Sequence, residues 1–274
     1  MSAHPAHAAR AGIPLHVRFQ ATALSEWIKF RSLRSGPAVL LATALVVLLG
    51  AIILASANRN GWATMSASAR ASFDPVFTSL QGIELAQLFI GALGVIVVTG
   101  EYTSGLIRGT FTATPQRVQV LAFKVLIFVA VVWAWCTALS FGAFYIGQSL
   151  LTSPAKHVTI GDPGVLTAVF GGGLFLTLVG LFGLLIGVVV RRTAGALTAL
   201  FGILLILPVV AATVPGKISS NVAEFLPGNA GLEALKLLHG GAYTLGRWQG
   251  LGVLGAYVAA TGVAAIATIR RRDV

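Results

Sequence analysis

Six runs of this chain carry almost no charge: Pro37–Ala57, Leu80–Gly100, Val125–Gly147, Val165–Val190, Ala194–Val214 and Leu251–Ile269. Each is close to the roughly 20 residues that take an α-helix across a bilayer at 1.5 Å per residue. In hydrocarbon every backbone amide and carbonyl has to be paired inside its own segment, which favours helices. The second run is the least uniform, because Gln81, Glu84 and Gln87 occupy its first turns; its Leu88–Thr99 half is strongly apolar. Only 10% of the 274 residues are charged, against ~25% in an average soluble chain. The polar segments are too short to bury a core of their own. The sequence therefore predicts an all-α polytopic membrane protein. Residues 1–36 form a leader with an interfacial elbow helix, and residues 37–274 form a six-span transmembrane domain.

Several other classes are disfavoured. Ala55-Ser56-Ala57 looks like a small-residue cleavage site, but the apolar run before it is longer than a signal peptide's core of roughly 7–15 residues. It is read as a span. The single cysteine, Cys136, lies within a hydrophobic run and offers no disulfide framework. The histidines at 4, 7, 16, 157 and 239 are scattered, so no metal site is expected. The net charge of +11 is distributed among the loops, without the clustered basic domain that nucleic-acid binding requires.

The basic residues instead report topology. Thirteen of them, Arg10, Arg18, Lys29, Arg31, Arg34, Arg108, Arg117, Lys124, Arg191, Arg192 and Arg270 to Arg272, fall on the side of the two ends. Six, Arg59, Arg70, Lys156, Lys217, Lys236 and Arg247, fall on the other. The positive-inside rule then puts both termini in the cytoplasm of a cell-membrane protein, where the basic excess also meets anionic lipid headgroups. Arg191-Arg192 leaves spans four and five joined as a tight hairpin, and two arginines at mid-bilayer would each cost about 2.5–3.5 kcal/mol. They belong at an interface. Outside, loops are expected at about 58–79, 148–164 and 215–250, the last with Leu232–Leu238 as a short helix on the outer face.

The segment Glu101–Lys124 breaks the apolar pattern differently from a loose loop. Tyr102, Leu106, Ile107 and Phe111 fall on one half of a helical wheel, and Glu101, Ser104, Arg108 and Thr112 on the other. An amphipathic helix between spans two and three presents a surface at the membrane face. Thr114-Pro115 is a good helix start, so span three is expected to begin there as a cytoplasmic extension. Arg117 in its first turn opposes the helix dipole and invites a lipid phosphate or a partner carboxylate. Arg108 and Arg117 are read either as topological anchors or as partner contacts. Glu101 is read as a local ion pair, with Ser104, Arg108 or the Trp27 helix in reach, or as a transport residue. Ahead of span one, Trp27, Ile28 and Phe30 alternate with Lys29, Arg31 and Arg34 in a helix suited to the headgroup layer. That helix is either a plain anchor or an elbow that also touches a partner.

The chain has no G-x-x-x-x-G-K-[ST] run, and Gly216-Lys217 lacks its other elements. Mid-span ionisable residues, the usual mark of an ion-driven carrier, are missing too. H-E-x-x-H and G-x-S-x-G are absent. These features favour a membrane half, not itself an enzyme, whose energy arrives from another subunit. Gly91 and Gly94, Gly180, Gly183 and Gly187, and Gly252 and Gly255 recur at close helical spacing. They serve helix packing within the chain or between two copies. Pro208 should kink span five. Trp62, Trp133, Trp135 and Trp248 are expected at interfaces or facing lipid, with no substrate role.

Taken in order, Glu26-Trp27-Ile28-Lys29-Phe30-Arg31-Ser32-Leu33-Arg34-Ser35, then Glu101-Tyr102-Thr103-Ser104-Gly105-Leu106-Ile107-Arg108-Gly109-Thr110, then Thr114-Pro115-Gln116-Arg117 resemble permease subunits of type-two ATP-binding-cassette exporters. Phe225-Leu226-Pro227-Gly228-Asn229-Ala230-Gly231 and the ending Arg271-Arg272-Asp273 are similar as well, while Leu106 and Gly109 depart from the usual run. The resemblance covers essentially the whole chain. It implies that two permeases pair, as a homo- or heterodimer, and that each docks a cytosolic ATPase holding the ATP and magnesium; this chain needs no cofactor of its own. It also implies that Glu101, Tyr102, Gly105, Arg108, Pro115 and Arg117 belong to a coupling helix, and Glu26, Trp27, Lys29, Arg31 and Arg34 to the elbow. The rival expectations are a non-transport scaffold or sensor subunit and an ion-coupled secondary carrier. Few polar groups line the spans, which suits an amphipathic cargo without selecting one.

Overall fold

The computed structural model describes residues 24, 25, 27–29, 31, 35–103, 117–153, 155–213, 222–238 and 245–271. Among them there are helices and turns and no strand. Six helices are long and apolar enough to cross a membrane. Span 1 is Gly36–Gly61, span 2 Gly82–Thr103, span 3 Arg117–Leu150, span 4 Val165–Val190 and span 6 Arg247–Arg271. Span 5 is composite: Thr193–Phe201, a π-helical turn Gly202–Ile206, then Leu207–Thr213.

Spans 2 and 4 form the centre. In their most apolar stretches 67% and 72% of residues are buried, against 17–28% in the other four. Their crossing is built on glycine. A Cβ at Gly94 would collide with the Gly180 carbonyl, and one at Gly183 with the Gly91 carbonyl, so the two backbones touch. Close approach of this kind maximises dispersion contact where no hydrophobic effect drives helices together. Gly91, Gly94, Gly180, Gly183 and Gly187 thus all serve packing within the chain, whereas Gly252 and Gly255 face open space.

Span 5 explains its own irregularity. Pro208 has no N–H for the carbonyl one turn back, and its ring crowds that carbonyl. The widened π turn lies immediately upstream, where an extra residue relieves the conflict.

The helix of span 3 runs from Arg117, close to the start expected at Thr114-Pro115 and ahead of the uncharged run that begins at Val125. Two expectations need correction. The outer segment Leu232–Leu238 is not a surface helix. Helix Pro227–Leu232 and a 3-10 turn Glu233–Leu235 come first, with Ala234 and Leu235 fully buried. Trp62 faces neither lipid nor water: it is buried and packs edge-on to Phe73 at 5.1 Å. Trp133 and Trp248 do point outward.

The loop face opposite the chain ends is organised by Asp74. Its Oδ1 caps helix Pro75–Leu80 by accepting from Val76 N–H at 3.0 Å and Phe77 N–H at 2.9 Å. Its Oδ2 accepts from Leu237 N–H at 2.6 Å and Leu238 N–H at 2.9 Å, far away in sequence. Arg247 Nη2 donates to the Lys236 carbonyl at 2.9 Å. Gln148 donates to the Pro75 carbonyl and accepts from Val158 N–H. Three loops are thereby knotted together through main-chain groups.

Candidate functional site

The opposite end of the bundle gathers the sequence-predicted residues around the last turns of span 2. Thr99 and Thr103 there return their hydroxyls to the Val95 and Thr99 carbonyls, leaving Glu101 and Tyr102 to face neighbouring elements. Glu101 Oε1 accepts from Lys124 Nζ at 2.6 Å, and Lys29 Nζ lies 3.8 Å from the same oxygen. The Glu101 and Lys124 side chains are only 12% and 10% exposed, so this pair is far better shielded than a surface salt bridge worth ~0–1 kcal/mol.

The placement of the pair matters more than its strength. Glu101 precedes, and Lys124 follows, the stretch 104–116 that connects spans 2 and 3. One contact therefore ties the entry of that stretch to its exit, and Lys29 draws the segment before span 1 to the same point.

Tyr102 makes the second junction. The Arg191 guanidinium stands 5.5 Å from the centre of its ring, a cation–π contact worth about 0.5–2 kcal/mol. Arg191 Nη2 also donates to the Thr268 carbonyl in span 6 at 3.3 Å. Its backbone is left-handed at φ 62°, which for a residue with a Cβ costs roughly 1–2 kcal/mol. That conformation ends span 4 with the Arg191 N–H on the Gly187 carbonyl and leaves only Arg191 and Arg192 before Thr193 starts span 5. The expected tight hairpin is present. Thr193 donates to the Thr99 hydroxyl at 2.9 Å. Span 2 thus ends in contact with the segment before span 1, span 3 and the span 4–5 hairpin, which itself reaches span 6.

Glu101, Tyr102 and Lys29 are brought together in this way. Arg117 is the first residue of span 3. Trp27 and Arg31 line a cavity against the start of span 1. Gly105, Arg108, Pro115, Glu26 and Arg34 lie outside the described residues, as does most of the amphipathic wheel.

Sequence reasoning missed Lys124, Arg191, Thr99 and Thr193 as members of the cluster. Lys124 had a usable signal: it is the only charged residue between Val118 and Leu150. A lone charge within an apolar helix calls for a partner. Asp74 had one too, as an N-cap residue directly before a proline. The Arg191–Tyr102 contact joins residues far apart in sequence and left no local trace.

The described part of the cluster is a junction between helices, and no group of three metal-ligating side chains occurs among the described residues. No protein-family model and no curated protein matches this chain.

Proposed function

We propose that the chain is the membrane-spanning permease subunit of an ATP-driven exporter of the type-two ATP-binding-cassette class, powered by a separate cytosolic ATPase. In this reading the ends of the chain and the stretch 104–116 face the cytoplasm, and two permeases work as a dimer by alternating access. The observation that carries the reading is the Glu101–Lys124–Lys29 junction. A force applied to the stretch between spans 2 and 3 reaches span 2 directly, and span 2 is one of the two central, buried helices. The ATPase closes on nucleotide and pushes this stretch; span 2 moves against its glycine contacts with span 4.

The test is co-expression of the tagged chain with its candidate ATPase subunit, reconstitution of the purified complex into vesicles, and measurement of ATP-dependent transport and stimulated ATPase activity. Arg108→Glu and Gly105→Pro should abolish both while the chain still reaches the membrane. Normal coupling in both variants overturns the assignment. A scaffold or sensor would bind no ATPase, and an ion-coupled carrier would transport without ATP and stop when the proton gradient is collapsed.

A further inference from the structure

A groove along spans 1 and 3 begins at the face that carries the Glu101 junction. Its first part is a cavity of about 280 Å³ lined by Trp27, Arg31, Gly36, Pro37 and Leu40. Its second part, about 500 Å³, lies between Leu40 on span 1 and Ala130, Ala134, Trp135 and Ala138 on span 3. Leu40 lines both, so the two parts are adjacent. The alanines are spaced four apart and share one helix face. They run for ~12 Å along the helix axis at 1.5 Å per residue. The indole N–H of Trp135 donates to the Leu40 carbonyl at 3.3 Å, which fixes the separation of the two spans beside the slot.

The two ends differ in chemistry. The deep end is almost entirely apolar and starts six residues further into span 3 than Lys124, a depth of ~9 Å beyond the charged junction. The shallow end has an indole, which favours the headgroup level, and the Arg31 guanidinium. Arg31 is exposed and makes no ion pair among the described residues. Glu101, the one described carboxylate on this face, already holds two lysines. The positive charge at the mouth is therefore open to an external anion.

We propose that the groove holds one acidic phospholipid of the adjoining leaflet. Its phosphate sits against Arg31, and one acyl chain lies along Leu40, Ala130, Ala134 and Ala138. A cationic mouth over an apolar slot fits an anionic headgroup joined to a hydrocarbon tail, and neither a soluble anion nor a plain hydrocarbon uses both ends. The site does not depend on the exporter reading, so either can fail alone.

The test is native mass spectrometry of the purified full chain, released from vesicles of phosphatidylglycerol and phosphatidylcholine in equal amounts. The wild type should retain one phosphatidylglycerol in preference to phosphatidylcholine. Arg31→Gln should cut that preference about fivefold, whereas Arg192→Gln, an exposed arginine on the same face, should leave it unchanged. Ala134→Phe should expel both lipids by filling the slot; if it fails to fold, the two arginine variants decide. Equal retention of the two lipids, or equal losses in the two arginine variants, overturns the proposal. So does a dimer that carries no lipid and dissociates in Ala134→Phe, which would give the groove to a second copy.

Discussion

On the face that holds the chain ends, helices are joined mainly side chain to side chain: Glu101 to Lys124 and Lys29, Arg191 to Tyr102, with one Arg191 bond to the Thr268 carbonyl. On the opposite face most joints are made to main chain. Asp74 takes four amide hydrogens, Arg247 caps a carbonyl, and Gln148 bridges two loops. These are different mechanical elements. An ion pair between long side chains survives a shift of its helices, because the side chains can rotate and the attraction has little directionality. An amide set by a capped helix points one way, and moving it leaves a polar group unpaired at a cost of about 1–3 kcal/mol. The bundle is thus locked at one end and adaptable at the other, and the adaptable end is where we place the input of force.

The comparison can be broken by mutation. Asp74→Ala should have the largest effect on stability, about 4 kcal/mol, since four amides lose their acceptor at once; thermal unfolding in detergent measures it. Glu101→Ala should cost about 3 kcal/mol by removing the carboxylate that pairs with a shielded lysine. Lys124→Met should cost less than Glu101→Ala, because Lys29 still serves the carboxylate. If Lys124→Met proves as damaging as Asp74→Ala, the terminal face is as rigid as the other and the contrast fails. Arg191→Gly should be the mildest, within about 1 kcal/mol, since relief of the left-handed backbone offsets the lost cation–π contact.

Much of this organisation was legible in the sequence. Span 4 has the bounds Val165–Val190 in both readings, because it is uncharged throughout and ends at an arginine pair. Span 3 continues back from its uncharged run through Lys124 to Arg117, in keeping with the helix start at Thr114-Pro115, and pairing with Glu101 helps that lysine sit inside the helix. The outer segment near Leu232 has helical periodicity, yet its chain leaves the helix at Lys236 and presents the Leu237 and Leu238 amides to Asp74. A contact across so many residues overrides the local pattern, and periodicity carries no information about it. The grouping at the Glu101 junction was half visible: the sequence marked Glu101 and the Trp27 helix, and the fold added the members from spans 3 to 5.

The central claim is that the Glu101–Lys124 tie carries force into span 2. Its most direct test is the double variant Glu101→Gln, Lys124→Met in the reconstituted complex, because the two shielded charges are removed together and the remaining Lys29 is the more exposed of the two lysines. The account predicts that the ATPase subunit still co-purifies, and that its activity no longer responds to the permease and drives no transport. Full stimulation and transport in that variant would contradict it.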